Sequence, residues 1–205
     1  MSGRQRSFWH WPGWPQLRYA LWLGLLQAVL FGILYGGSNW VAQQHSYRVP
    51  LHVRADLAVP LVAWMSIFHL SMTSLLWLAP FVLRTSRQLQ GIVLAQAVAT
   101  VIASIFFVLL PAQEAFPHPE DGQLGTFAGV FHLARSIALR HNYFPSLHVT
   151  FTTICIMAYS PYASGAGKAL LWSWGGAIIA STRASSVSIS DFHFCTLVSS
   201  WAEAS

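Results

Sequence analysis

Apolar residues in this chain come in long runs broken by short polar intervals, and the length of the runs sets the first expectation. Residues 19–35 are nearly continuous hydrophobic sequence, closed by Gly36, Gly37, Ser38 and Asn39. Residues 58–83, 91–110, 146–159 and 169–180 repeat the pattern, with Pro60 and Pro80 near the two ends of the second run. A helix of about 20 apolar residues covers the ~30 Å hydrocarbon thickness of a bilayer. The pattern therefore predicts an all-α, polytopic membrane helix bundle of about five spans. The fifth is short unless Lys168 snorkels and the helix continues through Ser181 and Thr182.

The intervals differ in character. Residues 38–56 are polar and mixed in charge, read as a loop or an interfacial helix, and Arg84 and Arg87 mark a short basic turn. Residues 111–144 form the longest stretch outside the membrane, with Glu114, Glu120 and Asp121 among three prolines. A connection of that length is more often functional than a bare link. After Arg183 the sequence turns serine-rich and offers no further span. Three segments result: a basic and aromatic N-terminal piece, 1–18, a membrane domain, 19–183, and an atypical polar tail, 184–205. No internal repeat is evident, which argues against a two-halved secondary transporter.

Composition agrees. The chain has 205 residues, of which 55% are hydrophobic and 8% charged, against about a quarter charged in soluble domains. Its 11 Lys and Arg residues are scattered and form no stripe, so no nucleic-acid partner is expected. Cys155 and Cys195 are too few for a disulfide framework and fall in no metal-ligand spacing. The first residues hold Arg and Trp without a small-residue cleavage site and are read as uncleaved.

Charge also orients the chain. With five spans, one side collects Arg4, Arg6, Arg18, Arg84, Arg87 and Lys168 with no acid, while the other holds the remaining basic residues and all six acids. The positive-inside rule makes the first side cytoplasmic, and with it the N-terminus. The segment from Pro145 to His148 and the Ser181-Thr182-Arg183 end of the fifth span then emerge together on the extracytoplasmic face of an inner or plasma membrane.

Candidate chemistry gathers at His141-Asn142-Tyr143-Phe144-Pro145-Ser146-Leu147-His148. Pro145 suits the first turn of a helix, so Ser146 and His148 are expected at a helix start, where free N–H groups and the dipole attract an anion. Arg135 and Arg140 lie just upstream. The plainer alternative is a helix cap with an incidental histidine, the arginines anchoring to headgroups. His148, Thr152, Cys155 and Tyr159 recur four, three and four residues apart, a polar stripe expected to face the bundle. On the second span Ser66, His69 and Thr73 share a face, and His69 is read as a mid-span histidine packed and hydrogen-bonded between helices.

Pro145-Ser146-Leu147-His148 at a helix start, with a Ser-containing helix end about thirty residues later, resembles the type-2 phosphatidic acid phosphatase superfamily of membrane lipid phosphatases. The likeness is closer to its inositol phosphorylceramide synthase-like branch, where Phe-Pro-Ser-Leu-His is usual, and covers roughly residues 50–183. The resemblance implies six spans, no cofactor and no metal, with a membrane lipid phosphate as substrate. It implies that Ser146 binds phosphate and that His148 is the general acid protonating the departing alkoxide. It also implies a basic segment ending in Arg-Pro, absent here, for which Arg135 and Arg140 are substitutes by position, joined by Arg183.

The third motif departs. Ser181 and Thr182 match, but Ser188 stands where the resemblance implies a nucleophilic histidine and Phe192 where it implies an aspartate. Asp191 and His193 lie nearby in reversed order and are the fallback pair. The favoured explanation is an altered C-terminus, by frame change or truncation after Thr182; the other is a weakened or inactive member that still binds lipid. The expectation is an integral membrane lipid phosphatase or phosphotransferase, with a catalytically inactive lipid-binding scaffold as the alternative.

Overall fold

The computed structural model describes residues 8–51, 61–113, 119, 121–137, 142 and 144–184, with the side chains of 183 and 184 left out. Its regular elements are all helical. They are α1 Trp14–Gln44, α2 Ser66–Val82, α3 Ser86–Leu109, α4 Asp121–Leu124, α5 Ala128–Ile137, α6 Leu147–Tyr159 and α7 Gly165–Ala184. A 3₁₀ turn, Ala63–Met65, leads into α2. Three helical stretches, Trp14–Gln44, Ala63–Val82 and Ser86–Leu109, are long and apolar enough to cross a membrane. The helix α6 has 13 residues, or about 20 Å at ~1.5 Å per residue.

The bundle sets buried polar groups among an apolar core and shows an apolar coat outside. Gln96, Thr100 and Ser104 of α3 are buried, whereas Leu94, Val98, Ile102 and Ile105 of the same helix are exposed. Trp22, Leu26 and Ile33 of α1 and Leu170 and Trp172 of α7 are exposed as well. A soluble monomer rarely shows so continuous an apolar coat, whereas lipid tails solvate it without penalty. Inside, the hydroxyls of Thr100 and Ser104 donate to Gln96 O and Thr100 O at 2.8 Å each, which satisfies them where no water is present.

Chain ends and turns sort onto two ends of the bundle. At one, His10 N donates to Phe81 O at 3.0 Å and Gln16 Nε2 to Leu83 O at 2.8 Å, tying the start of α1 to the end of α2. Thr85 and Gln88 cap α3 reciprocally. At the other end, Val49 N donates to Pro111 O and Gln113 N to Val49 O, both at 2.9 Å, so the α1–α2 connection is held beside the end of α3. Asn142 Nδ2 donates to Tyr35 O at 2.8 Å, fastening the segment before α6 to α1.

Several boundaries differ from the pattern-based expectation. The helix α1 does not stop at Gly36; it runs to Gln44, with Ser38, Asn39 and Ala42 buried. Two glycines cost a helix only about 1 kcal/mol each, which burial of the following turn outweighs. Its end is closed by Arg48, whose Nη1 donates to His45 O at 2.7 Å, Tyr47 O at 2.8 Å and Ala42 O at 3.3 Å. The third span starts at Ser86, because the Thr85–Gln88 cap nucleates it before the apolar run begins. The 111–144 stretch contains α4 and α5, joined by a 3₁₀ turn in which Gly125 takes a φ of 55°, a conformation glycine adopts without strain. Phe131 and Ala134 are fully buried and anchor α5 to the bundle.

Candidate functional site

Ser146 starts the site by capping α6. Its extended backbone turns the chain into the helix and its Oγ accepts from Val149 N at 3.4 Å, satisfying one of the donors a helix start leaves open. Pro145 therefore precedes the cap and is not in the first turn, contrary to the expectation, because the serine side chain sets the boundary. The capping role expected of the plainer alternative is real. The cap uses a lone pair of Ser146, however, and leaves its O–H able to donate.

His148 follows as the second residue of α6, and its ring lies against that of His69 on α2. The two ring centroids are 3.8 Å apart and the planes meet at 24°, a stacked pair. His69 is only 2% exposed, and neither Nδ1 nor Nε2 has a hydrogen-bond partner. The interhelical hydrogen bond expected of His69 is thus replaced by ring stacking. Nor is it a mid-span residue: α2 begins at Ser66 after the 3₁₀ turn, so His69 is in the first turns of its helix. Both histidines sit near the starts of helices that run in the same direction. Further along the pair, Tyr159 Oη donates to Leu75 O at 2.7 Å.

The expected polar stripe of α6 does face inward: Thr152, Cys155 and Tyr159 are fully buried. Gln96 of α3 reaches Cys155 Sγ at 3.7 Å. The close fit of α7 is permitted by Gly175, where a Cβ would fall 1.9 Å from Ile156 Cδ1 and 3.4 Å from Thr152 Cγ2. Trp174 Nε1 donates to Ser71 Oγ at 2.9 Å, and α7 continues back to the turn Ala63–Met65 that opens α2. Ser181 and Thr182, fully buried, donate to Ile178 O at 2.6 Å and Ile179 O at 2.7 Å. Residues matched to the third motif therefore arrive at the site's end of the bundle.

Arg135 occupies the last turn of α5, one turn beyond Phe131, and α5 packs on α2 and on the turn Ala63–Met65. Arg135 as a whole is half-buried, with Nη1 shielded from solvent. A cation there also complements the dipole at the end of α5. Arg140, Asp191 and His193 lie outside the described residues, as does the side chain of Arg183. No group of three or more His, Cys, Asp or Glu side chains converges on a metal-sized site among the described residues.

Sequence reasoning passed over His69 as a member of the site. The signal available was an ionisable residue in an apolar run with Ser66 three residues before it; which helix it meets was not readable. No family model, curated protein or solved structure matches the chain.

Proposed function

We propose that the chain is an integral membrane lipid phosphatase or phosphotransferase that acts on a phosphorylated lipid through histidine chemistry. The observation that carries this is the stacked His69–His148 pair at the starts of two parallel helices, at the end of the bundle where α5 brings Arg135. Helix N-termini and a guanidinium favour an anion. An imidazole beside them supplies the proton that a departing alkoxide needs.

In this reading His148 is the general acid, and Ser146 donates its O–H to a phosphate oxygen while its lone pair holds the cap. Arg135, Arg140 and Arg183 supply positive charge. The similarity of Phe144-Pro145-Ser146-Leu147-His148 to the second motif of type-2 phosphatidic acid phosphatases supports the same assignment. The positive-inside count puts the N-terminus in the cytoplasm and the site at the extracytoplasmic surface of an inner or plasma membrane. A lipid-binding scaffold without turnover is the second reading, favoured by Ser188 and Phe192 standing where the resemblance implies a nucleophilic histidine and its aspartate.

Phosphate release from a panel of lipid phosphates in detergent decides between them, with wild type set against His148→Ala. Release that the substitution abolishes supports the enzyme; equal background from both leaves the scaffold.

A further inference from the structure

The fully buried serine and threonine hydroxyls among the described residues divide into two sets. Thr100, Ser181 and Thr182 donate to carbonyls of their own helices. Ser66 and Thr152, equally buried, have no hydrogen-bond partner. These two flank the imidazole pair: Ser66 lies three residues before His69 on α2, and Thr152 four residues after His148 on α6. Thr152 is an exception on its own helix, since Thr150 and Thr153 donate to Ser146 O at 2.9 Å and Val149 O at 2.8 Å. Both nitrogens of His69 are unpartnered as well, so four uncommitted hydrogen-bonding atoms lie on the ring pair or within one helical turn of it. A buried group left unpaired has given up its water without a replacement, and these four atoms are able to hydrogen-bond a bound group.

We propose that His69 and His148 work as a base and acid pair that transfers a phosphoryl group directly to a hydroxyl, that of water or of a lipid alcohol, with no covalent enzyme intermediate. This rests on the lipid-phosphate reading above and adds His69 as a second catalytic residue. In an in-line displacement the attacking and leaving oxygens lie on opposite sides of phosphorus. Metal pairs that clamp both oxygens stand ~3.5–4 Å apart, and the two rings are stacked at 3.8 Å. Rings stacked at that spacing are able to offer one nitrogen to each oxygen. The same geometry disfavours attack by His69 itself, because a nucleophile must stand across phosphorus from the leaving oxygen and not alongside its acid.

The step balances with one proton on the pair. The acceptor O–H gives its proton to neutral His69 as its oxygen bonds to phosphorus. The bond from phosphorus to the lipid oxygen breaks, and that oxygen takes the proton of His148. The pair ends with the proton on His69, and exchange with solvent returns it to His148. A single shared proton suits the spacing, since two cations that close, away from water, repel strongly. Ser66, one turn before His69, and Thr152, one turn after His148, supply the hydroxyls that orient the entering group.

The test uses the full chain in detergent with a ³²P-labelled lipid phosphate, comparing wild type, His69→Ala, His69→Phe and His148→Ala. His69→Phe keeps an aromatic ring in the stack but cannot take a proton, so it separates chemistry from packing. Both His69 variants are expected to lose about 10²- to 10⁴-fold in rate, the usual span for a general acid or base, with no label on the protein after alkaline quenching. Water as acceptor gives free phosphate; an added lipid alcohol as acceptor gives a new labelled lipid. An alkali-stable label on the protein, or a His69→Phe rate within threefold of wild type, overturns the proposal while a dead His148→Ala preserves the broader reading. A wild type without turnover removes both.

Discussion

Gly175 offers the sharpest test of the packing that brings the site together. A Cβ at this position would fall 1.9 Å from Ile156 Cδ1 and 3.2 Å from Ile156 Cγ1. Ordinary carbon contacts are ~3.5–4.0 Å, so the first approach is too close by roughly 1.6–2.1 Å. Ile156 is 1% exposed and has no solvent to turn into. Overpacking of this kind costs about 1–3 kcal/mol, and the better helix propensity of alanine returns about 1 kcal/mol. Gly175→Ala is therefore expected to destabilise the bundle by about 1 kcal/mol. Ile156→Val removes the offending Cδ1, at about 0.5–1.5 kcal/mol by itself. In that background the clash is largely relieved, the helix gain remains, and Gly175→Ala becomes neutral or stabilising. The change of sign corresponds to a coupling of about 1–3 kcal/mol, within the range for residues in direct contact. Equilibrium unfolding in mixed micelles, followed by circular dichroism across the four corners of the cycle, reads it. If Gly175→Ala stabilises both backgrounds equally, α6 and α7 do not approach as described, and the placement of Thr152 beside α7 falls with them.

Three further outcomes follow from single contacts. Asn142→Ala removes the donor to Tyr35 O and is expected to cost about 1 kcal/mol, while Asn142→Asp turns a carboxylate toward that carbonyl and is worse; a reversed order in thermal unfolding would contradict the contact. Arg48→Ala leaves the carbonyls at the end of α1 without their cation, and the amides of residues 39–44 should exchange hydrogen faster by several-fold while those of α6 do not change. Tyr159→Phe loses the donation to Leu75 O, for which about 0.6 kcal/mol, and at most about 1.7, is expected within a bilayer; a loss above 3 kcal/mol in the same unfolding assay would mean the hydroxyl has another role.

The helices were legible because their causes are local. Apolar runs of near-membrane length mark α1, α2 and α3, and the inward stripe of α6 follows from spacings of three and four between Thr152, Cys155 and Tyr159. Pro145 and Ser146 mark the start of α6 to within a residue, since capping depends on neighbours in sequence. Boundaries failed where a distant partner decided them. Gly36 and Gly37 look like a stop, yet α1 continues because its last turns are buried and because Arg48 closes the open carbonyls.

By itself, then, the sequence determined a helical bundle with an apolar exterior and a polar seam, and it located a capped helix start carrying Ser146 and His148. Periodicity says which face of a helix is turned inward, but not what it meets. Only the tertiary structure decided that His69 lies face to face with His148, that Thr152 and Ser66 keep their hydroxyls uncommitted, and that α5 and the end of α7 reach the same end of the bundle. The physical reason is that contacts between helices depend on their rotation and relative depth, set by fits such as Gly175 against Ile156, which no local pattern records.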